Sequence, residues 1–165
     1  MSVFNDLQIR RVLNEKLLSI GTQVNGAVEI DMSPAGLTGV STAKLQVLSG
    51  EHSAEPKDQD LTGVESFIVK APQEMYTPTD CGLSKKKTQY VLWIKTLPEK
   101  GVYFNEAVAG MFQIHFGNNQ HLLMGDGGVL TILKSYQQAT VVGDGKTGRL
   151  FNRVFIDTEV YYQTK

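Results

Sequence analysis

The run Tyr90-Val91-Leu92-Trp93-Ile94 constrains the fold of this chain more than any other segment. It belongs to the stretch TQYVLWIKTLP (88–98), and it is apolar at odd and even positions alike. Successive side chains of a strand point to opposite faces, so such a run predicts an interior strand of a sheet, covered on both sides. Pro98 stops it, because proline has no N–H to give to a ladder. The rest of the chain must then supply neighbouring strands and cover for two faces.

Two amphipathic helices are the available cover. In the first, Ile9, Val12, Leu13, Leu17 and Ile20 recur at three- and four-residue steps and share one face. Asn5 with Gln8 three residues on is a capping-box variant, Ser2 being the other candidate cap. Gly21 ends the pattern, where a left-handed residue is expected. The second helix follows Pro98, with Asn105 as its expected cap. Phe104, Ala107, Val108, Met111, Phe112, Ile114 and Phe116 form a broad apolar arc, and Gly117-Asn118-Asn119 ends it.

Strands are expected at 42–50, where Leu45 and Val47 alternate with Lys44, Gln46 and Leu48, and at 64–71. Two more flank the turn Gly125–Gly128, and a final one spans 153–163. In that last strand Val154, Ile156, Thr158, Val160 and Tyr162 point one way, and Arg153, Phe155, Asp157, Glu159 and Tyr161 the other. Residues 21–37 read as a loop, 51–60 as an exposed polar stretch, and 72–87 as a long loop or flap. The order is helix, two strands, the central strand, helix, three strands. That order predicts an α+β fold: a mixed, mostly antiparallel β-sheet with two α-helices packed on one face, plus long loops. One domain spans 1–165, with 61–87 as an inserted strand and flap; a chain of 165 residues can bury a core of its own. The other sheet face carries Trp93, Phe155 and Tyr161 with no element left to cover them, so a partner subunit is expected there.

Composition removes several classes of function. Apolar residues at 41% and charged residues at 20% are those of a folded domain, and a net charge of −1 gives no basic field for nucleic acid or an anionic membrane. Cys81 is the only cysteine, which excludes an intramolecular disulfide and fits a reducing compartment. The segment MSVFNDLQIRR lacks the apolar core of a signal peptide, and no apolar run approaches the roughly 18 residues of a membrane span.

No motif makes a case for catalysis. GDGKTG (143–148) contains Gly-Lys-Thr, but a phosphate loop needs glycine where Thr140 stands and a helix after it, so a hairpin loop is the preferred reading. MGDGGV (124–129) leads into a strand and reads as a turn. His52, His115 and His121 stand at no ligand spacing from one another or from Cys81. His115 is expected as a core histidine with a hydrogen-bond partner, a site or pH switch being the alternative. Glu51, Glu55, Asp58 and Asp60 lack the order of a calcium loop and read as a solvated loop or an acidic contact surface. Lys85, Lys86 and Lys87 read as a solvated strand end, or as a contact for an acidic partner or phosphate backbone. No Gly-x-Ser-x-Gly occurs, and Cys81 lies in a Pro/Gly loop. No catalytic residue, cofactor or metal site is expected. The candidate interaction surface is Trp93, Phe155, Tyr161, Lys85, Lys86, Lys87, Asp144 and Lys146.

The order of these segments resembles the tail terminator proteins of long-tailed bacteriophages. The resemblance lies in the leading helix NDLQIRRVLNEKLLSIG, the strand KLQVLSGEHSAEP, then TQYVLWIKTLPEKGVYFNEAVAGMFQIHF, HLLMGDGGVLTI and the closing FNRVFIDTEVYYQ. Tyr90, Pro98, Gly101, Ala107, Phe116, Leu122, Gly125, Val129 and Ile132 carry it, over about three quarters of the chain; residues 61–87 and 137–149 depart from it. The resemblance implies a structural virion protein and not an enzyme. Such a protein forms a homo-oligomeric ring, generally a hexamer, on the head-proximal end of the tail tube. It stops tube polymerisation and offers a surface to the head-tail connector, while DNA passes through the lumen without sequence-specific binding. Assembly is expected in the host cytoplasm, with no membrane partner. The alternatives are a head-completion, head-tail joining or tail-tube protein, and more remotely a nucleotide-binding protein using Gly143–Gly148.

Overall fold

The central strand organises the molecule as its composition requires. The computed structural model describes residues 6–36, 42–47, 64–78, 83–117, 120–125, 128–138, 141–143, 145 and 148–163. Helix α1 (Asp6–Leu18) leads, followed by β1 (Thr22–Val24), β2 (Ala27–Asp31), a 3-10 turn at Ser33–Ala35, β3 (Thr42–Val47), β4 (Val64–Pro78) and β5 (Leu83–Thr96). A second 3-10 turn (Pro98–Lys100) enters helix α2 (Gly101–His115). Then come β6 (Gln120–Leu123), β7 (Val129–Gln137), β8 (Val142–Gly143) and β9 (Leu150–Gln163). Among the described residues the nine strands form one sheet in the order β1-β2-β3-β4-β5-β9-β7-β6, with β8 paired to β9 beyond the end of β7. Only β3 and β4 run parallel; the other pairs are antiparallel. The fold is therefore α+β with a mixed, mostly antiparallel sheet.

Both helices lie on one face of the sheet. Ile9, Leu13 and Leu17 of α1, and Val108, Ala109 and Phe112 of α2 with Phe116 just past its end, belong to one core with Val28, Ile30, Met32, Ala43, Tyr90, Leu92, Ile94, Leu130, Ile132, Val154 and Ile156. In β5 and β9 the core side is the even-numbered set. Tyr90 faces Ile156 and Leu92 faces Val154 across the ladder, and all four are buried.

Several sequence expectations are corrected. Residues 21–37 are not a loop: β1 and β2 form a hairpin whose turn, Asn25-Gly26, has φ of 51° and 80°. Two successive positive-φ residues match the twist of the flanking strands, and Asn-Gly is the pair that tolerates them. Gly21 is not left-handed; a Cβ there would lie 2.0 Å from the Glu29 carbonyl oxygen, so its glycine permits close backbone approach. The expected flap at 72–87 is largely strand. β4 and β5 form a long antiparallel pair with a register shift between Lys70 and Glu74, where extra residues bulge from the ladder. Asn105 does not cap α2; it is the fifth helical residue and buried, donating from Nδ2 to Thr96 Oγ1 at 2.8 Å and to the Leu150 carbonyl at 3.2 Å. Ile114 leaves the apolar arc and is 68% exposed. Asn5, Cys81, His52 and the acidic stretch at 51–60 lie outside the described residues.

Candidate interaction surface

The sheet face opposite α1 and α2 is the functional candidate, and the cross-strand register assembles it. Trp93 of β5 stands opposite Arg153 of β9, Val91 opposite Phe155, and Phe155 in turn opposite Tyr136 of β7. The Arg153 guanidinium lies between two rings, 5.3 Å from the centroid of Trp93 and 5.5 Å from that of Phe155. Its Nε donates to Gln138 Oε1 at 2.8 Å, which restrains the group. Tyr136 stacks on Phe155 with centroids 5.2 Å apart and an interplanar angle of 21°, and Lys134 Nζ lies 5.5 Å over the Tyr136 ring. Phe151 extends the row past Trp93 at 5.7 Å. Trp93, Arg153, Phe155 and Tyr161 are half-buried and Tyr136 is exposed, Val91, Lys95 and Glu159 between them are buried, and neither α1 nor α2 lies on this side. Each cation–π contact contributes about 0.5–1 kcal/mol when exposed to water and about 2 kcal/mol when water is excluded, so cover would strengthen the row.

A polar band runs beside the aromatic row. Gln89 Nε2 donates to Tyr136 Oη at 2.8 Å and to Asp157 Oδ1 at 2.9 Å. Lys134 pairs with Asp157 at 3.8 Å, and Lys87 with Glu159 at 3.7 Å. The Tyr161 hydroxyl donates to Glu159 Oε1, and this bond, then burial and the carboxylate charge, pushes the phenol above its ordinary pKa. Lys87 and Lys134 on this face thus have carboxylate partners, whereas Arg153 makes no ion pair among the described residues.

The candidate residues fall on different sides of the sheet. Trp93, Phe155 and Tyr161 do share the open face, as the alternation predicts. Lys87 joins them, while Lys86 is corrected: it points to the opposite side and is 5% exposed, so it offers nothing to a partner. Lys85 stands opposite Tyr161 in the ladder, and its side chain is outside the described set. Asp144 and Lys146 lie outside the described residues as well. β8 pairs antiparallel with β9, which starts at Leu150, so a strand rather than a helix N-terminus follows GDGKTG.

Arg153 and Tyr136 were missed as candidates for different reasons. Alternation already placed Arg153 beside Phe155, but a single charged residue in a strand carries no signal of an aromatic sandwich. Tyr136 shares even parity with the core residues Leu130 and Ile132, and only the bulge between Ile132 and Lys134 turns it to the open face. A bulge leaves no clear mark in the sequence.

On the helix side, His115 is half-buried at the end of α2. A carbonyl only accepts, so Nε2 carries the proton that it donates to the Lys16 carbonyl; Ser19 Oγ lies 3.2 Å away. This is the hydrogen-bonded histidine expected, and it joins α2 to the end of α1. His121 Nδ1 meets Thr131 Oγ1 at 2.9 Å. An open pocket of about 430 Å³ between α2 and β7 is lined by Gly110, Gln113, Ile114, Gly117 and Ser135. Its polar groups satisfy each other: Ser135 Oγ donates to the Gln113 carbonyl at 2.9 Å, and Gln137 Nε2 to Gln113 Oε1 at 3.1 Å. No group of three or more metal-binding side chains gathers among the described residues, and none of their helices is long and apolar enough to cross a membrane. Comparison with family models and with characterised proteins finds no match.

Proposed function

We propose that the protein is a structural subunit that assembles into a ring on the head-proximal end of a phage tail tube. There it ends tube growth, presents a surface to the head-tail connector and lets DNA through its lumen. The observation that carries this reading is the row Phe151–Trp93–Arg153–Phe155–Tyr136, a contiguous line of rings and a guanidinium on the sheet face away from both helices. Such a row suits a protein partner, since aromatic side chains and arginine dominate the energetics of interface centres. The order of elements that resembles tail terminators supports the same reading. The role is assembly rather than catalysis, and the place of action is the virion tail after assembly in the host cytoplasm. A net charge of −1 suits a channel that passes DNA without retaining it.

The test is tail length by negative-stain electron microscopy in particles assembled without the protein. Tubes of excessive, uncontrolled length are expected. Tails of normal length without heads would move the role to head completion or joining, and long polymers of the purified protein alone would mark it as a tube subunit.

A further inference from the structure

Two patches on opposite sides of the molecule are each incomplete, and each has what the other lacks. At the start of α2, on the helix side, Tyr103 is 80% exposed, with Val102 exposed beside it. Glu106, one turn further on, is exposed and has no cation partner among the described residues. The nearest lysine in sequence, Lys100, lies over the Phe104 ring at 5.8 Å. On the sheet side, the Arg153 guanidinium lies within 5.3 and 5.5 Å of the Trp93 and Phe155 ring centroids and has no carboxylate partner among the described residues. Its Nη groups make no hydrogen bond among the described residues. An aromatic ring and a carboxylate one turn apart complement two aromatic rings and a guanidinium.

We propose that the socket at Arg153 is filled by the α2 start of a second copy of this chain. Tyr103 of one copy packs on Trp93 and Phe155 of the next, and the Glu106 carboxylate takes the two Nη groups of Arg153 as a bidentate pair. Arginine suits this role because its planar fork is already restrained by two neighbouring rings and the bond to Gln138, so less freedom is lost on pairing. Single-stranded nucleic acid is the weaker occupant. Its phosphates would meet Asp157 and Glu159 on the same face, in a chain of net charge −1. Because knob and socket lie on opposite sides of the layered domain, the contact is heterologous: each copy gives its knob to one neighbour and its socket to another. The proposal deepens the ring reading and rests on it for closure of the ring, but the pairwise contact does not require a phage tail.

A charge exchange tests it, by sedimentation velocity on the full chain with folding checked by circular dichroism. Wild type is expected to self-associate at about 100 µM or below. Arg153→Glu and Glu106→Arg are each expected to weaken association at least about tenfold, because each sets like charges in the contact. Their equimolar mixture is expected to restore it, since every contact between alternating copies again joins one guanidinium and one carboxylate. Tyr103→Ala weakens association and is not rescued by either charge variant. Tyr103 and Glu106 occupy exposed helix positions, so these two variants decide the matter even where Arg153→Glu disturbs the sheet. A monomeric wild type, variants that associate as wild type does, or a mixture of folded variants that stays monomeric would overturn the contact. If association obeys the exchange but tails keep their length without the protein, the contact stands and the terminator role falls. Overlong tails together with unaltered association of the variants would leave the terminator role standing and refute the contact.

Discussion

Burial pushes the His115 imidazole below its ordinary pKa; the bond to the Lys16 carbonyl opposes the shift and the Lys16 charge adds to it. The folded state therefore binds a proton less readily than the unfolded chain, whose histidines titrate near about 6.5. The stability from neutral His115 is complete above that value and is lost as pH falls through the lower folded value. The urea midpoint should drop between about pH 7.5 and 5.5, and the drop should shrink in His115→Gln, which keeps a donor but cannot titrate. An unchanged slope in the variant would mean that other groups carry the effect. Gly21 makes a sharper test of backbone packing. Gly21→Ala places a methyl 2.0 Å from the Glu29 carbonyl oxygen unless the chain shifts. A loss above about 3 kcal/mol in chemical denaturation is expected, against under about 1 kcal/mol if glycine served there only to end a helix.

At the scale of elements, alternation rather than charge decides what the three lysines of β5 do. Lys86 stands opposite Val160 on the core side, while Lys87 stands opposite Glu159 on the open face, 46% exposed in its side chain. Lys87→Ser should cost under about 1 kcal/mol, as surface pairs do. Lys86→Ser should cost about 1–3 kcal/mol, because the buried stem packs as an apolar side chain; equal losses in thermal unfolding would refute the assignment. The same elements show what was readable in advance. α1 and β9 announce themselves because Ile9, Leu13 and Leu17, and Val154, Ile156 and Val160, repeat at the period of their element. The β1–β2 hairpin hid in a stretch whose strands are three and five residues long, too short for a period, although Asn25-Gly26 marked the turn. The outer parts of β4 and β5 hid behind PQEMYTP and a lysine run, where proline and charge speak against a strand that its neighbours nevertheless hold in register. The open face was half legible: Phe155 followed from alternation and Trp93 from its run, but the approach of Tyr136 depended on the bulge in β7.

At the scale of the whole molecule, the sheet has one face packed under helices and one face whose cover is not part of its own described residues. Trp93 reports on that asymmetry. A fully buried tryptophan cut to alanine costs about 3–5 kcal/mol. Trp93 is half-buried on the open face, so Trp93→Ala should lower monomer stability by only about 1–3 kcal/mol while association falls further. A full-sized loss of stability with normal association would place Trp93 in the core instead. The order of strands also sets the order of events in time. β9 lies between β5 and β7 in space but follows both in the chain, and it pairs with β5 along its whole length. A ribosome therefore releases two half-sheets, α1 with β1–β5 and α2 with β6–β7, before the strand that joins them exists. Until residues 150–163 arrive, Tyr90, Leu92 and Ile94 wait beside an unpaired ladder, and the closing step is a long-range insertion rather than a local zipping. β9, made after both, is the strand that turns two fragments into a single sheet.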